Sequence, residues 1–524
     1  MKKLLSLALA LSLLMSLAAL PALAEDQAVN IAVTSTLGTI NPLLMDNTEV
    51  VKYAESLVFL PLVELNNELE FVPQLAESIT TEDNLTFTIK LREDAKWSDG
   101  EPVTSADVVY TLLAWATPAT GAYGVDISSI VGLEDGYLPE GADQIAGVTV
   151  VDDKTLTIAT QWETTLFTFE NNIGRYILIL PEHALKDIPF DQLLTGGWFD
   201  RPEVVSGPYF IRDFDLNHYV HYVANENYFE GAPKIKYINL NVLQSSQLLA
   251  GLQAGEIDLI HPTMGAILME DYDAVRALPG YTYVTGSPIT NQSIFINVNN
   301  VPDRRIRQAL LYGIDRETIL DGFLFGNGEI VDAFLSSVSP YFSEELGVTA
   351  YDPDKAAALI AEAKADGADT AITWHAWSGD ETFLNAVNFI AAQFAEIGLT
   401  IDVRPVDLDQ LMALAGDYQI QVMSVQYSYN PLDPYTDVAW LLSADGWTQY
   451  DDEAVNAALT LSQALTDPEA IKAQYLIVDR AVVENAPMIS AYVLSTLGTK
   501  SDKLKNVNLD VYGTFVNVQD WEIQ

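Results

Sequence analysis

Cysteine is absent from all 524 residues. No disulfide, no thiolate nucleophile and no thiol-linked lipid can therefore form on this chain. Basic residues are scarce: 26 Lys and Arg stand against 73 Asp and Glu, a formal net charge of −47. Such a surface repels phosphate backbones and anionic lipid heads, which argues against nucleic-acid and membrane-surface roles. Histidine is rarer still, with five: His183, His218, His221, His261 and His375. His218 and His221 lie in HYVH, where a strand points them to opposite faces, and no H-E-x-x-H helix occurs. No metal site is expected. No G-x-S-x-G elbow and no P-loop is found, and Gly326-Asn327-Gly328 lacks dinucleotide-loop spacing and reads as a turn. With so many acids, no carboxylate pair can be singled out as a dyad. Catalytic residues and cofactors are therefore expected to be none. After the N-terminus no run reaches about 18 apolar residues, so no membrane span is expected there. Short repeats and low-complexity segments are also missing.

What is present is a large chain, 49% hydrophobic, long enough for two or three domains. Lys2 and Lys3, the apolar stretch Leu4 to Leu20 and Ala22-Leu23-Ala24 read as a secretion signal cleaved after Ala24. Glu25-Asp26 follows, so no lipid anchor is expected at that site. The exported chain would carry −49 (−47 minus 2 for the lost lysines). A location outside the cytoplasm, periplasmic or extracellular, is expected.

The most informative stretch is Leu91 to Leu113, LREDAKWSDGEPVTSADVVYTLL. Leu85, Phe87, Ile89 and Leu91 alternate with Thr86, Thr88 and Lys90, which predicts a half-buried strand. Asp99-Gly100 is a turn pair. Thr104 stands three residues before Asp107, the spacing of a capping box, and Val108, Val109 and Leu112 give the following helix its apolar face. Elsewhere, Asp303, Asp315, Asp352-Pro353 and Asp467-Pro468 predict helix starts. Gly255 predicts a helix end, and Val148 to Ile158 a hairpin.

Several blocks together resemble one family, the extracytoplasmic solute-binding proteins of the peptide and nickel ABC importers. They are the stretch above, then VPQLAESI (Val72–Ile79), VSGPYF (Val205–Phe210), NENYFEGAPKIKYINLNV (Asn225–Val242), AGLQAGEIDLI (Ala250–Ile260) and FINVNNVPDRRIRQALLYGIDRETIL (Phe295–Leu320). They run in the family's order. The resemblance implies an α/β protein with the large, three-domain type II periplasmic-binding-protein fold, two lobes around a hinged cleft. It implies a discontinuous first lobe at residues 25–65, 187–285 and 486–524, an inserted domain at 66–186 and a further lobe at 286–485. It implies capture of an oligopeptide-like or other small polar solute and delivery to ABC permease subunits in the membrane, with the carrier a monomer. A saccharide, a nickel chelate or an opine-like compound is the alternative ligand, and a secreted hydrolase on the same fold the alternative class.

Three stretches are candidates for the cleft: the turn Thr34 to Pro42, with Thr36; Trp374-His375-Ala376-Trp377; and Gln426 to Tyr435, QYSYNPLDPY. Trp374, Trp377, Tyr427 and Tyr429 supply aromatic area, or else fill a core. The third stretch resembles the family's D-Y-x-D-P segment, whose first Asp pairs with a peptide's amino terminus. Asn430 occupies that place here and Asp433-Pro434 the last pair. An Asn accepts a hydrogen bond without charge, so the contact is weaker by about 1–2 kcal/mol. The other reading of Asp433 is a helix cap.

Overall fold

The segment AVNIAV at Ala28–Val33 is apolar nearly throughout, as suits a strand covered on both faces. It forms the middle of a seven-stranded mixed sheet in the computed structural model, which describes residues 28–44, 49–465 and 467–524. The expected signal segment, residues 1–24, lies outside the described residues. The sheet runs Tyr281–Thr285, Leu497–Ser501, Leu259–Ile260, Ala28–Val33, Tyr237–Val242, Tyr219–Ala224, Tyr209–Asp215. Ala28–Val33 pairs in parallel with Tyr237–Val242, and the strands beyond alternate antiparallel. This is the first lobe.

A second mixed sheet has six strands: Gly328–Glu329, Met488–Leu494, Thr290–Ile296, Val422–Ser428, Ala371–Trp377, Thr400–Val406. Its central strand Thr290–Ile296 is buried almost throughout. Because side chains alternate along a strand, Ile294 and Ile296 join one hydrophobic core while Phe295 joins another on the opposite face. This sheet, with helices on both faces, is the second lobe.

An antiparallel four-stranded sheet, Ala76–Thr81, Thr86–Leu91, Thr155–Ala159, Val148–Asp152, belongs to the inserted domain. Its Phe87, Ile89 and Leu156 share one continuous core with Val29, Ile31 and Leu240 of the first lobe. The expected capping box is seen in its Asp107 half: the carboxylate accepts from the Thr104 amide at 2.8 Å. The same carboxylate accepts from the Glu182 amide at 2.8 Å and the Trp97 indole at 3.4 Å. Asp107 therefore ties turn, helix and a distant loop together. In VSGPYF a Cβ on Gly207 would stand 2.4 Å from the Leu57 carbonyl oxygen, so no larger residue fits that backbone approach. Asp303, Asp315, Asp352 and Asp467 each accept a backbone amide at the start of a helix. Gly255 ends its helix at φ +71°.

The chain passes between the two large sheets twice, after Thr285 and again between Leu494 and Leu497. The passes touch, the Gly286 amide donating to the Thr496 carbonyl at 2.7 Å. The second pass lies beyond the expected boundary at 486, because Met488–Leu494 pairs with Thr290–Ile296 inside the second lobe. MISAYVL is apolar on both faces and suits either sheet, so composition alone does not assign it.

Candidate functional site

A cavity of about 750 Å³ lies between the lobes. Thr34, Ser35 and the loop Pro262–Ala266 line it from the first lobe, Asn171, Arg175 and Tyr176 from the inserted domain, and Gln426, Ser428 and Tyr429 from the second. A cavity of comparable size, about 820 Å³, is lined only by residues 314–351 of the second lobe. The interlobe cavity is the one whose walls come from three parts of the chain.

The inserted-domain wall is a π turn. The short helix Leu166–Phe169 passes into π-helical backbone over Glu170–Arg175. Such turns widen the helix and recur at functional sites. Gly174 lets this turn pack closely on the neighbouring strand, since a Cβ would stand 2.8 Å from the Val63 side chain. The turn brings Asn171, Asn172, Arg175 and Tyr176 to the cavity.

Arg175 is held from all sides. Its Nε donates to Glu64 at 2.5 Å and its Nη2 to Glu49 at 3.2 Å. Nη2 also meets the Tyr53 hydroxyl at 3.4 Å, and Nη1 the Tyr176 hydroxyl at 3.3 Å. Behind it Lys52, fully buried, pairs with Glu64. Burial, and then the Arg175 charge, push the Lys52 ammonium down to about 8. Burial alone would raise the Glu64 carboxyl, but Lys52 and Arg175 outweigh it and hold Glu64 below its ordinary range.

The second-lobe wall carries two further carboxylates. Asp433 is 4% exposed, and its carboxylate accepts from the Thr436 hydroxyl at 3.3 Å. Burial pushes it up to about 6. Asp437 accepts from the Tyr427 hydroxyl at 2.8 Å and is likewise raised, first by burial. Neither forms an ion pair among the described residues.

Tyr429, Asn430 and Asp433 line the cavity; the other residues expected there do not. Thr36 is exposed, one position past Thr34 and Ser35, which do line it. Trp374 is 1% exposed, stacks on Phe394 and donates from its indole to Ser424 at 2.8 Å, so it is a core residue. Trp377 packs between the two cores of its lobe, edge-on to Phe383. Strand register explains both. Ala376 pairs with Ser424, whereas the cavity begins at Gln426, past the end of the tryptophan strand. Tyr427 turns its ring to Phe295 and Trp447 and only its hydroxyl to Asp437. Asn430 lines the wall, but its Oδ1 already accepts from the Leu432 and Asp433 amides at 3.0 and 3.3 Å, closing a turn. Asp433 also stands at a helix start: it precedes Pro434, where the helix Tyr435–Leu441 is entered, and its carboxylate accepts from the Tyr435 amide and the Thr436 hydroxyl.

Sequence reasoning did not select Glu49, Asp126, Asn171, Arg175, Asp437 or the loop after His261. His261 is fully buried, with Nδ1 and Nε2 each 2.9 Å from a threonine hydroxyl, Thr263 and Thr514. Burial pushes it down to about 3, so it stays neutral and anchors the loop Pro262–Ala266. A signal for Arg175 did exist, since it is the sole basic residue between Lys154 and Lys186.

Residues 70–449 match the family model described as bacterial extracellular solute-binding proteins, family 5 Middle. A putative ABC transporter peptide-binding protein of Brucella ovis is 27% identical over 491 residues, covering 90% of this chain and 87% of that one. The nickel-binding periplasmic protein of Escherichia coli is 26% identical over 331 residues, 62% of this chain and 59% of its own. Among solved structures, the oligopeptide-binding protein AppA of Bacillus subtilis, in complex with a nonapeptide, has the same fold, with a TM-score of 0.76 at 20% identity. That match covers 95% of this chain and 99% of AppA. With a family match across most of its length and two lobes about a cleft, the chain belongs to the family 5 bacterial extracellular solute-binding proteins.

Proposed function

We propose that this protein is the extracytoplasmic substrate-binding subunit of an ABC importer. It captures an oligopeptide-like or other small polar solute between its lobes and hands it, chemically unaltered, to a membrane permease. The observation that carries this reading is the cavity of about 750 Å³ shared by two lobes that are joined by two chain passes. A solute touching both walls stabilises only the closed arrangement, so binding and closure are one event. The peptide-binding and nickel-binding relatives support an importer role and leave both solute classes in view. Export by the N-terminal signal, the lack of a lipid anchor and a monomeric carrier complete the proposal. Among the described residues no helix is long and apolar enough to cross a membrane.

The test is mass spectrometry of the protein purified without denaturation, with small-angle scattering before and after the bound solute is removed. A released small polar solute and a larger radius of gyration in the emptied protein are expected. No bound solute with no change in radius, or release of a chemically altered product, would refute the proposal.

A further inference from the structure

The charged groups of the cavity wall do not balance. Arg175 is the only basic residue among those lining it. Its guanidinium is bonded to Glu64 and Glu49, and Lys52 is bonded to Glu64. These two cations and two carboxylates cancel within the wall. What remains is Asp126, Asp433 and Asp437, all lining the cavity and none in an ion pair among the described residues. Lys2 and Lys3 are the only basic residues of the sequence outside the described segments. A second, independent observation points the same way. Asn171 lines the cavity and is 5% exposed, yet its Oδ1 has no hydrogen-bond partner. The unmet groups of the wall are thus acceptors and negative charges.

We propose that the solute is an organic cation, carrying ammonium or guanidinium groups that meet Asp433, Asp437 and Asp126 and donate to Asn171. This rests on the solute-carrier reading above and narrows it. A buried carboxylate without a cation is costly, and N–H donors of the solute would relieve that cost on closure. A solute with net negative charge finds no free cation in the wall. The chain's charge of −47 would also draw cations toward the cleft and speed their capture at low salt.

Binding should then depend on pH. Asp433 faces Asp437 and the hydroxyls of Tyr341, Tyr435 and Tyr475, with Thr168, Thr436 and the Tyr435 amide as hydrogen-bond donors and no basic group. Without a cation beside it, the Asp433 carboxyl takes up a proton as pH falls below about 6. A cation holds it ionised, so binding releases that proton. Cation affinity should fall about tenfold between pH 8 and pH 5.

The test is titration calorimetry on the purified protein, stripped of bound solute, with four probes: trilysine amide, spermidine, trialanine and triglutamate. At pH 8 trilysine amide or spermidine is expected to bind at least tenfold more tightly than trialanine, and triglutamate not at all. Asp433→Asn should reduce the pH dependence, leaving the part that Asp437, also raised by burial, contributes. Asp126→Asn, at an exposed position that should not affect folding, should weaken the cation several-fold. Equal or tighter binding of trialanine or triglutamate would overturn the cation proposal and leave the carrier reading standing. A pH-independent affinity in the unsubstituted protein would overturn it as well. Silence with all four probes would also overturn it, while the carrier reading would then be decided separately by the co-purified solute.

Discussion

Asp479 offers a test of the second lobe that does not involve the cavity. It lies on the helix Pro468–Asn485, 2% exposed, and its Oδ1 has no hydrogen-bond partner. Its helix neighbours Tyr475, Val478 and Val482 belong to the core that also holds Phe295 and Met423. Burial pushes its carboxyl up to about 8. The folded protein therefore keeps a proton that the unfolded chain, titrating near the ordinary aspartate value, has lost. Stability falls as pH rises from about 4 to about 8, and above that range both states are ionised. With about 1.4 kcal/mol per pH unit, the loss between pH 5 and pH 8 is about 4 kcal/mol. Asp479→Asn keeps the shape and removes the ionisation, so it should escape this loss. For a lobe of about 200 residues, 4 kcal/mol corresponds to a Tm difference on the order of 10 °C. Thermal unfolding followed by circular dichroism at pH 5 and pH 8 is the assay. The variant should gain on the unsubstituted protein as pH rises and nearly match it at the acid end. Parallel Tm values for the two proteins at both pH values would refute the reasoning.

Three further outcomes follow from the packing. Trp374→Ala should lower stability by about 3–5 kcal/mol in urea unfolding and leave solute affinity within twofold, since the ring fills a core rather than the cavity. Lys52→Met should cost about 3 kcal/mol, because it leaves Glu64 buried with one cation instead of two; a variant as stable as the parent in the same assay would show the cluster to be dispensable. Asn430→Ala should cost about 1 kcal/mol of stability through the lost turn contacts, with affinity reduced less than threefold by calorimetry; a greater loss of affinity would make Asn430 a direct ligand contact.

The elements that could be read from sequence are those whose cause is local. The Asp-led helix starts at Asp303, Asp315, Asp352 and Asp467 need only a side chain and an amide two or three residues away. The hairpin Val148–Ile158 was legible for the same reason, with Val150 opposite Leu156, although the outer strand meets the core only at Val148 and leaves Val150 facing solvent. Gly207 was visible as part of a family block, but its reason, the carbonyl of Leu57, lies far back in the chain. The tryptophans of Trp374-His375-Ala376-Trp377 mark the limit of such reading. Aromatic alternation is the same for a core and for a cleft, and only strand register tells them apart.

The cavity wall was illegible for a related reason: its chemistry is made of pairs that are remote in the chain. Arg175 reaches its carboxylates at Glu49 and Glu64 over 126 and 111 positions. Read alone, Arg175 is a free cation in a cleft and would suggest an anionic solute. Joined to Glu49 and Glu64 it is neutralised, and the sign of the wall is set instead by Asp433, which reads locally as a helix start, and by Asp437 within that helix. Reversing that balance is therefore a direct test of what the wall selects. Glu49→Gln frees one face of Arg175 toward the cavity and removes a negative charge while leaving the buried Glu64 contact in place. It should weaken a bound cation several-fold by calorimetry with stability changed by no more than about 1 kcal/mol, since Glu49 is the partly exposed partner. Unchanged cation affinity would mean that the Glu49–Arg175 pair contributes nothing to the field the solute meets.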